Sequence, residues 1–411
     1  MSERSRVLIS AYACEPERGS EPGVGWNHVE QAARFHEVWV ITRRNNAGPV
    51  LRRAGSLRGV HWVFHDLPRW ASFWKRGQRG VHLYYYLWQI GAYRAAKRLH
   101  REIGFDIVHH VTFVNYWMPS FLGLLPVPFI WGPVGGGESL PRGFRRTLSL
   151  RGSLFEMARA AARWLGEHDP AVRLCARRAR VAFATTPETA ARLARLGCRE
   201  VVLLGESGIR DEELQRLAAF PVRTHGAPRL MSAGRLVALK GYHLSLEAFA
   251  RVRDLFPGSA YWLIGGGPER GRLEALAERL GVREAVLFTG SVPRARVLDA
   301  LAECDIFVHP SLHDSGGWAC PEAMAAGRPV ICVEVGGPAA QVSADSGIRV
   351  PASTPENVVD GLSSAMRTLM ADAPARARLA RAARDRAARV FSWSGKGELF
   401  RDLYARILRE G

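Results

Sequence analysis

The chain reads as two doubly wound α/β domains in tandem, and three observations support this. Its 411 residues exceed what a single hydrophobic core usually supports. Apolar runs of strand length alternate with helical patterns from end to end, which is the pattern of parallel sheets covered by helices. Near the middle, residues 206–227 form a polar, proline-interrupted stretch with the composition of a linker.

Taken in order, RVLISAYA, EVWVITRR, VHWVFHDL, FDIVHHVTF, PFIWG, VAFATT and EVVLLG fit the strands of a first domain, residues 1–205. RLMSAGRL, SAYWLIGGG, AVLFTGSV, IFVHPS and VICVEVGG fit those of a second, residues 228–390. The last segment, residues 391–411, repeats aromatic and aliphatic residues at helical spacing and could pack on either domain, including a return to the first. Two such domains create a cleft where the C-terminal ends of both sheets face one another. Ligands of this fold class bind there.

Charge is unevenly spread. Residues 1–205 hold 30 Lys and Arg against 15 Asp and Glu, so +15 of the formal +18 lies in the first half. A field of that sign suits an anionic substrate, an anionic membrane surface or nucleic acid, although an arginine-rich composition alone would also produce it. The six cysteines form no CxxC pair and no Cys/His cluster at metal-ligand spacing, which predicts a reduced, cytoplasmic chain without structural zinc. The opening MSERSRVLISAYACEPE has too short an apolar run for a secretory signal. Val111 to Gly137 carries no charge and is long enough to span a bilayer. Pro119, Pro126, Pro128 and Pro133 would break such a helix repeatedly, so buried strand and loop is the expectation. Residues 74–104 mix cations with Trp and Tyr along a helix, which fits a surface resting on anionic lipid, a pocket for an anionic acceptor, or a core-facing ring set.

The chemistry concentrates in two stretches of the second domain. In SAGRLVALKG a strand gives way to a loop bearing Arg235 and Lys240, and a helix begins around Gly241. A cation beside a helix N-terminus opposes the helix dipole unless an anion also binds, so the two read as a pyrophosphate clamp. In HPSLHDSGGWACPEAMAAG a strand ends, Gly316 and Gly317 permit close backbone approach, and Pro321 suits the first turn of a helix. The amides near Trp318 and Ala319 would serve as anion donors, and Glu322 in the first turn would stay ionised and accept from a vicinal diol such as a ribose. Asp314 stands before the glycines, within reach of a different hydroxyl-bearing group.

This half resembles the family-4 retaining glycosyltransferases of GT-B architecture, two Rossmann-like domains facing a central cleft. Their Glu, seven residues, Glu motif appears here as DSGGWACPEAMAAGRPV, and GRLVALKG, LIGGGPE, FTGSVPRARV, AECDIFVHPS and VEVGGPA stand at further positions typical of the family. The resemblance covers residues 228 to 400 strongly, and the first half more loosely through SAYACEPERGSEPGVGW and IWGPVGGGE.

The resemblance implies that Arg235 and Lys240 hold the donor diphosphate and Glu322 the ribose hydroxyls. It places Asp314 and the backbone of Gly316, Gly317 and Trp318 at the transferred sugar, with Val292 near the base. Gly23 or Gly25 would approach the diphosphate from the first domain. Asp314 is one methylene shorter than the family's Glu, and Gly316 replaces the usual Phe. The family's histidine after the fifth strand is missing from FIWGPVGGG, and His109 and His110, at the end of the preceding strand, are the candidate sugar or acceptor contacts.

The expected activity is metal-independent, retaining transfer of a sugar from a nucleotide-diphosphate sugar to an acceptor hydroxyl, in polysaccharide or natural-product glycoside assembly. No DxD motif is present, and the cations can neutralise the leaving diphosphate without a metal or other cofactor. The expected partners are the nucleotide sugar and a sugar, lipid-linked or small-molecule acceptor, with the enzyme cytoplasmic or peripheral at the inner face of a membrane. Two alternatives stand beside this reading: a sugar-nucleotide epimerase of the same architecture, and a basic protein binding nucleic acid or a membrane surface.

Overall fold

The computed structural model describes residues 4–410 apart from 76, 78, 142, 145–149 and 224. The chain divides into two compact units. The first comprises residues 1–137, 159–206 and 393–411, and the second residues 138–158 and 207–392.

The first unit contains β1 (Arg6–Ala11), β2 (Glu37–Arg43), β3 (Val60–His65), β4 (Ile107–Thr112), β5 (Phe129–Val134), β6 (Ala179–Ala184) and β7 (Val201–Leu203). They form one sheet in the order β3-β2-β1-β4-β5-β6-β7, and every pairing is parallel. All seven expected strands are present. Leu8, Trp39, Val108 and Trp131 from the strands pack with Tyr85 and Trp88 of the helix Val81–Ile103 in one core cluster. For Tyr84, Tyr85 and Trp88 the core-facing alternative therefore holds. The uncharged stretch from Val111 to Gly137 runs through the end of β4, the short helix Phe121–Leu124 and buried β5. Among the described residues no helix is long and apolar enough to cross a membrane.

The second unit contains β8 (Arg229–Ala233), β9 (Ala260–Ile264), β10 (Val286–Gly290), β11 (Ile306–His309), β12 (Val330–Val333) and β13 (Gly347–Val350), all parallel, in the order β10-β9-β8-β11-β12-β13. Strand alternation sends Leu230, Val308 and Ile331 to a core on one face of the sheet and Met231, Phe307 and Cys332 to a core on the other. β13 was not among the five strands expected. It is four residues long, sits at the sheet edge and buries only its ends, so it carries little apolar signal.

Several helices begin where a side-chain oxygen caps an amide and proline occupies the first turn. Asp169 accepts from Ala171 N, Thr186 from Thr189 N, and Thr354 from Asn357 N.

The expected linker is a correction. Residues 206–227 include the helix Asp211–Ala218, and Ile209 and Leu217 are buried in a core of the second unit. Its three acids at Asp211, Glu212 and Glu213 suit a helix N-terminus, so the polarity that suggested a linker reflects an exposed helical face. The terminal helix Trp393–Glu410 groups with the first unit, where Phe400 and Tyr404 are buried and pack against His28 and His109. Residues 138–158 group with the second unit, an excursion that composition did not signal.

Candidate functional site

In the second sheet the chain runs outward from β8 through β9 to β10, then crosses to β11 and continues through β12 to β13. The order reverses between β8 and β11, and open parallel sheets bind ligands outside the C-terminal strand ends at such a point. Lys240 follows β8 and Asp314 follows β11.

Their loops are locked together by backbone. Leu312 N donates to Leu239 O at 2.9 Å. Gly241 caps the helix Tyr242–Arg253 at φ +65°, and a Cβ there would lie 2.1 Å from the Pro310 carbonyl oxygen. Only glycine fits that approach without displacing the loop.

Side chains complete the junction. The Lys240 ammonium donates to Asp314 Oδ2, His309 Nε2 donates to the same oxygen at 3.1 Å, and Gly317 N donates to Oδ1 at 3.1 Å. Burial would raise the Asp314 pKa, but the His309 hydrogen bond and the Lys240 charge outweigh it and hold the carboxyl far below its ordinary range. Burial lowers the pKa of His309, although Asp314 opposes it, so His309 acts here as a neutral donor. Arg235 is exposed and makes no ion pair among the described residues.

Asp314 is thus occupied by three donors within the second unit and positions Lys240. The Gly317 amide is likewise engaged. The Gly316 carbonyl accepts from Ser207 Oγ at 2.5 Å and from Gln341 Nε2, which fixes the glycine loop from below. A Cβ at Gly317, whose φ is +52°, would meet Gln341 Oε1 at 2.9 Å. Trp318 and Ala319 are half-buried where the loop enters the helix Ala319–Ala325, and the Trp318 Nε1 proton is buried without a partner among the described residues. The Tyr242 hydroxyl, at the start of the helix after β8, is likewise buried and unpaired among the described residues.

Glu322 lies inside that seven-residue helix and is buried. Burial raises its pKa and Arg294 opposes the rise, which corrects the expectation that the helix end alone keeps it ionised. Arg294 donates to Glu322 Oε1 through Nη2 at 2.6 Å and Nε at 3.1 Å, and grips Glu213 at 2.6 and 2.8 Å. Glu322 Oε2 has no donor among the described residues. Val292, just before Arg294, is half-buried against the neighbouring core.

The remaining candidates lie in the first unit. Gly23 and Gly25 stand in the helix Glu21–Ala33, where a Cβ would come 2.0 Å from Arg18 O and 2.1 Å from Ala13 O respectively, so both have a packing role. His109 and His110 are fully buried in β4. His109 Nε2 donates to Gly132 O at 2.7 Å and Nδ1 lies 2.5 Å from the Tyr404 hydroxyl, while His110 Nε2 donates to Phe113 O at 3.1 Å. Burial lowers their pKa values to about 3 and about 4. Both rings are neutral and enclosed, which corrects their reading as sugar or acceptor contacts: β4 is central and covered on both faces.

Sequence reasoning missed His309, Arg294, Glu213, Ser207 and Gln341 as site residues. His309 and Arg294 stood inside quoted motifs, in HPS and VPRARV, but nothing in the sequence discloses their pairing. Among the described residues no group of three His, Cys, Asp or Glu is placed to hold a metal ion.

Comparison with known proteins agrees with this fold. The chain is similar over 99% of its length to all of sucrose-phosphate synthase from Thermosynechococcus elongatus, with a TM-score of 0.67 at 18% identity. It is similar over 98% of its length to all of Anabaena HepE, solved in complex with UDP and glucose, with a TM-score of 0.59 at 16% identity. The fold is that of the GT-B glycosyltransferases, built from two Rossmann-like α/β domains. Residues 217–386 match the family described as glycosyl transferases group 1. That match lies within the second unit.

Among curated relatives, it is 35% identical over 183 residues to the lipopolysaccharide core biosynthesis glycosyltransferase LpsE of Rhizobium meliloti, covering 44% of this chain and 50% of LpsE. It is 30% identical over 289 residues to glycogen synthase of Mycobacterium tuberculosis, covering 70% of this chain and 66% of that enzyme. The match thus spans half to two thirds of the length of these relatives.

Proposed function

We propose that this chain is a retaining glycosyltransferase that moves a sugar from a nucleoside-diphosphate sugar to an acceptor hydroxyl without a metal ion. The observation that carries the reading is the pair of cations on the loop after β8, at the switch point of the second sheet, with Lys240 held by Asp314 and Arg235 exposed. Charge accumulates on the leaving diphosphate as the anomeric C–O bond breaks, and cations fixed beforehand stabilise it without reorganising. Trp318 Nε1 and the Tyr242 hydroxyl, buried and unpaired among the described residues, add two polar atoms that a bound donor could satisfy. Glu322 Oε2 supplies an acceptor for ribose hydroxyls, with Arg294 maintaining the charge.

Transfer requires the acceptor oxygen to form its bond on the face of the sugar from which the diphosphate departs, and the acceptor proton leaves with the products. UDP is the first nucleotide to test, because HepE was solved with it. The experiment incubates the protein with UDP-, GDP-, dTDP- and ADP-sugars and a panel of acceptor glycosides, with and without EDTA, and reads the product's anomeric configuration by NMR. Retained configuration and EDTA-resistant turnover are expected. Inversion, strict metal dependence, or conversion of the donor with no acceptor consumed would refute the proposal.

A further inference from the structure

The helix Leu150–His168 carries its polarity the wrong way round for a helix facing water. Leu154, Met157, Trp164 and Leu165 are 64%, 67%, 58% and 63% exposed. At about 100° per residue these four share one arc of about 100°, and exposed Ala158 and Ala161 lie in or beside it. Glu156, Arg159, Arg163 and Glu167, by contrast, are half-buried on the other side. The rotation is fixed by packing. Arg192 Nη1 donates to Glu167 Oε1 at 2.6 Å and the Tyr116 hydroxyl donates to the same oxygen, while a Cβ on Gly166 would come 2.4 Å from the Trp117 carbonyl oxygen. A surface helix ordinarily turns its charged face outward.

Residues 150–158 of this helix group with the second unit and residues 159–168, which include Trp164 and Leu165, with the first, where another element behaves similarly. Trp70 and Phe73, in the segment after β3, are 80% and 77% exposed. That segment is tied down beside them, since Trp74 Nε1 donates to Ala71 O at 3.0 Å and its ring packs on Tyr84. Tyr116 and Trp117, which anchor the helix, follow β4, and Trp70 and Phe73 follow β3. In one parallel sheet β3 and β4 end at the same edge, about 14 Å apart across three strand spacings.

We propose that this edge of the first unit docks on an anionic lipid bilayer, with Trp164, Leu165, Trp70 and Phe73 seated among the headgroups. Tryptophan beside aliphatic side chains suits the interfacial layer, and the +15 excess of the first 205 residues supplies attraction to an anionic leaflet. The same charge disfavours a second copy as occupant, because a self-complementary interface would bring two surfaces of one sign together. The surface does not depend on the donor reading.

Co-sedimentation of the full chain, without donor, would use vesicles of phosphatidylglycerol with phosphatidylethanolamine and vesicles of phosphatidylcholine alone. Binding at least about tenfold tighter to the anionic vesicles is expected, and a Trp164→Glu/Leu165→Glu variant with an unchanged melting midpoint should lose at least about tenfold. If that variant melts early, Trp70→Ser/Phe73→Ser takes its place with the same expectation. Equal affinity for both vesicles, no binding by the parent protein, or variant binding at the parent level would overturn the proposal. So would light scattering showing a dimer that the substitutions dissociate, which would assign the face to a second copy.

Discussion

Both units bury ionisable side chains near the ends or centre of a parallel sheet, yet they treat the charges differently. In the first, His28 and His109 meet Tyr404 and Lys396 of the terminal helix, and burial drives each toward its neutral form. In the second, Lys240 and Asp314 face one another with His309 behind, and the carboxylate stays charged despite its burial. A neutralised cluster is a core that tolerates polar atoms. A cluster that keeps its charges at a sheet switch point is the one to which the proposed function assigns an ionic ligand.

Substitutions should separate the clusters, and the largest effect belongs to Lys240. Under the proposed function Lys240→Ala removes a preorganised cation from the leaving diphosphate, and it also leaves Asp314 short of its partner. A loss of about 10²- to 10³-fold in kcat is expected, read by steady-state kinetics. A rise in donor KM with kcat intact would instead mean that Lys240 binds donor and transition state equally. Next comes Glu322→Ala, which removes a charged hydrogen-bond partner worth about 1.5–3 kcal/mol and should lower kcat/KM for the donor about 10- to 150-fold. Unaltered kinetics there would sink the ribose assignment.

His309 offers a finer test. It would act through Asp314 rather than on substrate, so His309→Phe should cost about fivefold in kcat, near 1 kcal/mol for a neutral hydrogen bond, and His309→Asn should recover part of it. Equal losses in both variants, tracking their stability, would reduce His309 to a packing role.

In the first unit the expected readout is stability. Burial lowers the Lys396 pKa to about 7, with Glu206 opposing. Above that pH the unfolded chain, with lysine near 10.4, binds a proton that the folded chain does not, so this residue's contribution to stability rises from about pH 7 to about pH 10. Lys396→Met should therefore raise the melting midpoint most at pH 7 and progressively less toward pH 10. A pH-independent difference would contradict the burial of this amine.

The same contrast explains what could be read from the sequence. Runs such as EVWVITR and IVHHVT announce buried strands because they have no polar alternative, and the paired motifs around Lys240 and Asp314 disclose chemistry that strand packing does not require. What stayed hidden depends on three-dimensional pairing. Glu322 looked like a residue served by a helix dipole until Arg294 came to it from 28 positions away. His109 and His110 looked like ligand contacts because strand ends and buried strand centres share one alphabet. β13 and the helix Asp211–Ala218 are short and half-exposed, and their composition is that of loops.

The most direct measurement is donor-induced thermal stabilisation of the full chain across UDP-, GDP-, dTDP- and ADP-sugars, repeated on Arg235→Ala and Lys240→Ala. At 100 times its dissociation constant a bound donor adds about 2.7 kcal/mol. The account predicts an upward shift with one nucleotide class in the parent protein, strongly reduced in both variants. Stabilisation that survives both substitutions, or none with any nucleotide sugar, would contradict the claim that the switch point of the second sheet holds the donor diphosphate.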